Sequence, residues 1–77
     1  PQNEYQFRVA LNSATWVEWA QLDGIGETLA RRIVADRAER GPFESPDDLL
    51  RVKGIGRKTL EKVRPFLAVE PDPADVR

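Results

Sequence analysis

The residues that could do chemistry in this chain are concentrated between Lys53 and Lys58, where Gly54, Ile55 and Gly56 lie between cations. Glycine has no Cβ atom, so two glycines around one apolar residue permit a tight turn and a close approach to the backbone. A helix that begins after such a turn leaves its first amide groups unpaired at the positive end of its dipole. Amides and cations in this arrangement are suited to bind anions, above all phosphate groups.

A single Gly-x-Gly segment does not identify a site, because a plain turn between helices and a nucleotide-binding loop use the same glycines. The strand-turn-helix context and the further glycines of a nucleotide-binding loop are absent from this sequence. The segment is repeated, however, thirty positions earlier, as Gly24, Ile25 and Gly26. This repetition favours a pair of phosphate-binding turns over a single structural turn.

The composition excludes several other chemistries. The 77 residues contain no cysteine and no histidine, which excludes a disulfide framework, a zinc site and a catalytic histidine pair. The length predicts one small domain, monomeric in isolation. No apolar run approaches the roughly 20 residues of a membrane-spanning helix, so no membrane contact is predicted for this segment. The chain starts at Pro1 without a methionine, which predicts that it is part of a longer chain.

The net charge of −1 conceals an uneven distribution of charge. Residues 51–64 carry six cations against one carboxylate, whereas residues 1–30, 41–50 and 65–77 are each net negative. A basic segment of this kind, centred on the second Gly-Ile-Gly, indicates a nucleic-acid partner more clearly than the overall charge does.

The elements that must position the two turns are predicted to be four helices. Their predicted bounds are residues 16–22, 27–39, 46–52 and 57–64. Thr15 and Glu18 form a capping-box pattern before the first helix, and Ser45 is the predicted N-cap of the third, with Pro46 at its first position. Gly41 is predicted to end the second helix, because its backbone tolerates a positive φ.

Apolar residues at helical spacing predict the core. The expected core side chains are Trp16, Trp19, Ala20, Leu29, Ala30, Ile33, Val34, Phe43, Leu60, Val63, Phe66 and Leu67. Residues 5–11 alternate between apolar and polar types, which predicts an extended segment. Since no second run of this kind is present to pair with it, we expect that segment to lie across a helical core without a partner strand or to be the remnant of a preceding region. Prolines and acids in residues 69–77 predict a flexible acidic tail.

The two halves of the sequence match at a constant offset of thirty residues. Besides the glycines, the matching positions are Thr15 and Ser45, Leu22 and Val52, Ala30 and Leu60, and Ile33 and Val63. Each half is too small to bury its apolar face alone. The predicted fold is therefore all-α: a compact tandem helix-hairpin-helix domain with four main helices and pseudo-twofold symmetry. Its predicted parts are an extended segment 1–11, repeat one 12–41, repeat two 42–68 and the tail 69–77.

These segments together resemble the tandem helix-hairpin-helix domain of the competence protein ComEA family. The matching stretches include Leu22-Asp23-Gly24-Ile25-Gly26, Gly41-Pro42-Phe43 and Val52-Lys53-Gly54-Ile55-Gly56. The resemblance covers about residues 9–68 and includes motif, spacing and the Gly-Pro-Phe connection. It implies non-sequence-specific binding of double-stranded DNA, with hairpin amides and nearby cations on the phosphates across the minor groove. It also implies a role in DNA uptake or repair and, for the uptake proteins, a place on the outer side of the cytoplasmic membrane behind an N-terminal anchor.

The predicted DNA-binding residues lie in both hairpins. They are Lys53, Gly54, Ile55, Gly56, Arg57 and Lys58 in the second hairpin, and Gly24, Ile25 and Gly26 in the first. Asp23 and Glu27 flank the first hairpin and depart from the DNA-binding pattern of the family. The second hairpin is therefore predicted to be the stronger contact, with Arg31 and Arg32 as helpers or as plain solvated charges.

Two other classes of function compete with DNA binding. The first is a protein-interaction or assembly domain of an envelope or secretion machine, in which the hairpins are purely structural. The second is an enzyme such as a lyase, which would need a desolvated nucleophilic lysine. Nothing in the sequence marks Lys53, Lys58 or Lys62 as desolvated, so the prediction is a non-enzymatic domain without cofactor, metal or small-molecule substrate.

Overall fold

Short helices separated by tight turns make up residues 8–68, the part of the chain that the computed structural model describes. In chain order the elements are β1 (Val9–Ala10), α1 (Trp16–Ala20), α2 (Glu27–Arg40), a 3-10 helix (Pro46–Arg51), α3 (Arg57–Val63), a second 3-10 helix (Arg64–Phe66) and β2 (Leu67–Ala68). The predicted all-α fold with four main helices is confirmed. None of the helices in residues 8–68 combines the length and the apolar character needed to cross a membrane.

The third helix differs from the prediction because it is a 3-10 helix and not an α-helix. The amide of Asp48 donates to the Ser45 carbonyl at 3.0 Å, and the amide of Val52 donates to the Leu49 carbonyl at 3.0 Å. Bonds over three residues wind the chain more tightly and are common in pieces as short as this one.

The starts of α1 and of the first 3-10 helix are capped in different ways. Thr15 and Glu18 form the predicted capping box: the Thr15 amide donates to Glu18 Oε1 at 2.8 Å, and the Glu18 amide donates to Thr15 Oγ1 at 3.3 Å. Ser45 occupies the N-cap position, but its side chain makes no capping bond, so that part of the prediction is wrong. The Asp48 amide, which the hydroxyl would have capped, is taken by the backbone carbonyl of Ser45. The Asp48 carboxylate instead accepts from the Glu44 amide at 2.7 Å.

Replacing Thr15 with alanine is expected to lower the free energy of unfolding by about 0.5–2 kcal/mol, because the Glu18 amide loses its acceptor. Ser45→Ala is the matched control and should change it by less than about 0.5 kcal/mol, since no capping bond is lost. Urea denaturation followed by circular dichroism measures both values. Equal losses in the two variants would contradict the structural difference between the caps.

The core is continuous across both repeats and contains side chains from almost every element. Its buried members are Val9, Leu11, Ala14, Trp19, Leu22, Ile25, Ala30, Ile33, Phe43, Leu49, Val52, Ile55, Leu60, Val63 and Leu67. Trp16, Ala20, Leu29 and Val34 are partly buried against it, as predicted for one apolar face. The expectation for Phe66 is wrong, because this side chain is 42% exposed while Leu67 is buried. Phe66 is the last residue of the second 3-10 helix, whereas Leu67 begins β2, and the pairing of β2 with β1 places the Leu67 side chain in the core.

A short parallel ladder joins the two ends of the described chain. Val9 of β1 is in register with Leu67 of β2, and the Leu11 amide donates to the Ala68 carbonyl at 3.0 Å. The expectation that residues 5–11 lack a partner strand is therefore wrong. β2 has only two residues and shows no alternating pattern that could have revealed it. Residues 1–7 and the predicted tail 69–77 lie outside the described residues.

Candidate nucleic-acid interface

The two Gly-Ile-Gly turns, residues 22–26 (the first hairpin) and residues 52–56 (the second hairpin), have the same local hydrogen bonding. In each, the isoleucine amide donates to the carbonyl three residues earlier, at 3.0 Å for Ile25 and at 3.1 Å for Ile55. Both isoleucine side chains are buried. The amides of Ile25 and Ile55 are therefore already hydrogen-bonded within their hairpins. The two isoleucines hold the turns in shape, and their amides are not available to a phosphate as predicted.

The first and the second glycine of each hairpin play different parts. Gly24 and Gly54 have positive φ angles of +93° and +99°, which side chains with a Cβ atom rarely adopt. A Cβ atom placed on Gly54 would lie 2.6 Å from Leu29 Cδ2, so this glycine is packed against α2. Gly26 and Gly56 have ordinary φ angles of −93° and −103° and open space around them. The close packing therefore belongs to the first glycine, and the second one leaves the helix start accessible.

Unpaired backbone amides follow each second glycine. The first helical bond of α2 is donated by Ala30 to Gly26 at 2.9 Å, and that of α3 by Leu60 to Gly56 at 3.0 Å. The amides before these donors belong to the first helical turn, which has no acceptor within its own helix. In both hairpins these groups are available to an anion from outside.

Arg51 belongs to the basic segment in sequence but is a structural residue in the fold. Its Nε donates to Asp36 Oδ1 at 2.5 Å, and its Nη2 donates to the Gly41 carbonyl at 2.6 Å. The guanidinium also lies 4.5 Å from the centre of the Phe43 ring. Arg51 therefore ties the first 3-10 helix to the end of α2 over the buried Phe43, and its charge is already matched by Asp36.

Arg64, the last cation of the basic segment, is also neutralised within the chain. It donates to Asp47 and to Glu61, and these bonds, the one to Asp47 first, raise the pKa of the guanidinium above its ordinary value. Arg37 is likewise engaged, because it donates to the Leu11 carbonyl at 3.3 Å.

The two arginines considered as helpers have partners of their own. Arg31 donates to Glu27 Oε2 at 2.8 Å and lies 4.0 Å from the centre of the Trp16 ring. Arg32 donates to the backbone carbonyl of Lys53 at 3.2 Å. Arg31 thus offsets one of the two carboxylates beside the first hairpin, while Arg32 holds the backbone at the entrance of the second.

Four cations make no hydrogen bond, ion pair or ring contact with any other part of residues 8–68, and all four are exposed. They are Lys53, Arg57, Lys58 and Lys62. Three of the four flank the second hairpin, whereas Asp23 and Glu27 stand at the equivalent places of the first. The structure therefore brings together the predicted cations of the second hairpin and leaves them accessible.

Each hairpin is also flanked by the helix of the other repeat, which sequence reasoning missed. A Cβ atom placed on Gly24 would lie 3.3 Å from Lys62 Cδ and 3.9 Å from Lys62 Nζ. The same atom on Gly54 would lie 3.0 Å from Arg32 Nη1. Arg32 and Lys62 are thirty positions apart, so the repeat offset is the one sequence signal that relates them.

No group of three or more acidic side chains in residues 8–68 is placed to hold a metal ion.

A family model described as "Helix-hairpin-helix motif" matches residues 5–68, which is most of the chain. The chain belongs to the helix-hairpin-helix family. The predicted resemblance to ComEA domains is confirmed, and the paired hairpins described above are the feature that the family is named for.

Several curated proteins contain a segment similar to this chain. ComE operon protein 1 of Bacillus subtilis (strain 168) is 37% identical over 62 residues, which cover 80% of this chain and 30% of that protein. The transcriptional accessory protein Tex of Neisseria gonorrhoeae is 41% identical over 61 residues, or 79% of this chain and 8% of that protein. The human endonuclease/exonuclease/phosphatase family domain-containing protein 1 is 40% identical over 57 residues, or 74% and 10%. This chain therefore spans less than a third of the length of these relatives.

Proposed function

We propose that this domain is a non-enzymatic module that binds double-stranded DNA without sequence preference, chiefly through the second hairpin. One observation carries the proposal: of the four cations without a partner in residues 8–68, three flank the second hairpin. The family match and the relatives named ComE operon protein 1 and transcriptional accessory protein support nucleic-acid binding in general.

The chemistry of the second hairpin fits a phosphate group. Lys53 precedes the turn, Arg57 and Lys58 follow it, and the unpaired amides of the first turn of α3 lie between them. Open space at Gly56 lets a phosphate oxygen approach these amides. Cations on phosphates displace the counterions of DNA, and this release supplies most of the affinity of non-specific complexes.

The same contacts explain why no base sequence should be preferred. Backbone amides and lysines that contact phosphates position a protein on the duplex but do not read base edges. We propose DNA uptake during competence, or DNA repair, as the setting in which the whole protein uses such a module.

A salt titration of a labelled random duplex tests the proposal. If about 3–5 phosphates are neutralised, the slope of log affinity against log salt should be about −0.9 per contact, so a fewfold rise in salt should lower affinity by one to three orders of magnitude. Unrelated duplexes of equal length should differ by less than about tenfold in affinity.

Two outcomes would contradict the proposal. Absence of binding at low salt with tens of micromolar protein would favour the assembly domain with purely structural hairpins. A strongly preferred sequence in a selection experiment would mean that side chains read bases, which phosphate contacts alone do not do.

A further inference from the structure

Each repeat places one cationic side chain beside the hairpin of the other repeat. Lys62 of α3 lies against Gly24 of the first hairpin, and Arg32 of α2 lies against Gly54 of the second. Arg32 and Lys62 are thirty positions apart, which is the repeat offset. The two contacts are therefore equivalent under the pseudo-twofold symmetry, and neither is a chance contact of one long side chain.

Arg32 and Lys62 differ in whether they have a hydrogen-bond partner. Arg32 is engaged, since its guanidinium donates to the carbonyl of Lys53 at 3.2 Å. Lys62 is exposed and has no hydrogen-bond or ion-pair partner within residues 8–68. Its stem passes over Gly24, and its ammonium group is left at the edge of the first hairpin. Arg32 is thus a positioning residue, whereas Lys62 is available to a ligand.

The first hairpin lacks a cation of its own. Asp23 precedes its glycines and Glu27 follows them, although Glu27 is paired with Arg31 at 2.8 Å. The Lys62 ammonium group lies 3.9 Å from the position of a Cβ atom on Gly24, so it brings a positive charge to the hairpin that contains Asp23. Without Lys62, a phosphate at this hairpin would meet a net negative surface.

We propose that Lys62 supplies the phosphate-binding cation of the first hairpin, so that this contact is built from both repeats. The inference rests on the proposed DNA binding and adds a second contact to it. Its ligand is a phosphate group of the duplex. The first hairpin of an isolated first repeat would lack this cation, so the contact exists only when the two repeats are packed together.

The test compares two neutralised variants of the full chain. Lys62→Gln should weaken binding to a random duplex by about threefold to tenfold and flatten the salt slope by about one unit, as expected for one lost phosphate contact. Arg40→Gln is the control, because it also removes one positive charge, at the end of α2 away from the first hairpin and about 20 Å along a helix of 14 residues, where Arg40 pairs with Asp36 at 3.7 Å. The control should change affinity by less than about twofold, because Arg40 is far from the first hairpin and its charge is already offset by Asp36.

A double-mutant cycle assigns Lys62 to one hairpin. Gly26→Ala and Gly56→Ala both fit the free protein, since nothing lies within 4 Å of either added Cβ, and each obstructs a phosphate at its own hairpin. If Lys62 acts at the first hairpin, Lys62→Gln and Gly26→Ala remove one shared contact, and their effects should be less than additive. Lys62→Gln combined with Gly56→Ala should be additive.

The outcomes separate this inference from the proposed function. If the unaltered protein fails to bind the duplex at low salt, DNA binding itself is wrong and the inference falls with it. If the protein binds but Lys62→Gln matches Arg40→Gln in affinity and slope, DNA binding stands and the role of Lys62 is wrong. Coupling of Lys62 to Gly56 but not to Gly26 would also overturn the assignment to the first hairpin.

Discussion

Reversing the charge of Lys58 is expected to weaken DNA binding by at least about tenfold at constant salt, with the fold intact by circular dichroism. Lys58 is exposed and unpaired within residues 8–68, and it stands in the first turn of α3 beside the amides proposed to hold a phosphate. A glutamate at this position repels the phosphate that the lysine attracts. A glutamate in the first turn of α3 is also stabilised by the positive end of the helix dipole, so a loss of affinity cannot be explained by a loss of stability.

Lys53→Glu should have a similar effect, but it is the less direct test. Arg32 donates a hydrogen bond to the backbone carbonyl of Lys53. A glutamate at position 53 would therefore have a guanidinium nearby that can neutralise part of its negative charge. For this reason Lys58→Glu is the primary variant, and Lys53→Glu is the supporting one.

The reciprocal variant is Asp23→Lys, which should strengthen binding by introducing a cation beside the first hairpin. Asp23 is preferable to Glu27 because Glu27 is bound to Arg31, and its replacement would disturb two charges together. Both affinities are measured by titration of the same labelled duplex at one salt concentration. If Lys58→Glu and Asp23→Lys both leave the affinity unchanged while DNA still binds, the second hairpin is not the main contact.

Replacing Gly54 with alanine is expected to lower the free energy of unfolding by about 2–4 kcal/mol. The backbone of Gly54 has φ of +99°, a conformation that costs about 1–3 kcal/mol for a residue with a Cβ atom. The added methyl would lie 2.6 Å from Leu29 Cδ2, so the side chain of Leu29 must also move. A small domain is stabilised by only about 5–15 kcal/mol in total, so this loss is a large share.

Two control variants separate the causes of that loss. Gly56→Ala adds the same methyl at an ordinary φ in open space and should cost less than about 1 kcal/mol, the modest penalty of alanine at an N-cap. Gly24→Ala combines a positive φ with a milder contact, 3.3 Å to the flexible stem of Lys62, and should fall between the other two. Urea denaturation measures all three. Equal stability of the Gly54 and Gly56 variants would show that the second hairpin is not packed against α2 as described.

Much of the fold could be predicted from the sequence because its signals are local and repeated. The paired glycines, the Thr15 capping box and the stop at Gly41 each depend on residues a few positions apart. The offset of thirty residues relates the two halves of the sequence, and Ile25 and Ile55, which are equivalent under this offset, are both buried.

Other features could not be predicted because they depend on competition between partners. The Ser45 hydroxyl is left without its capping bond because a backbone carbonyl takes the same amide. β2 is too short to show any pattern, and it exists because the fold brings Leu67 beside Val9. Phe66 is exposed for a related reason, since the direction of its neighbour Leu67 is set by that pairing.

The sequence by itself determined that this chain carries two hairpins, which turn bears the cations and which bears the acids, since charge belongs to a residue type. The tertiary structure alone decided which of those cations remain available. Arg51 and Arg64 are bound to carboxylates 15 and 17 positions away along the chain. Lys62 has no hydrogen-bond or ion-pair partner within residues 8–68 and lies beside Gly24 of the other repeat. The state of a charge depends on what lies within a few ångströms of it, and for these residues the neighbours are brought together only by the packing of the two repeats.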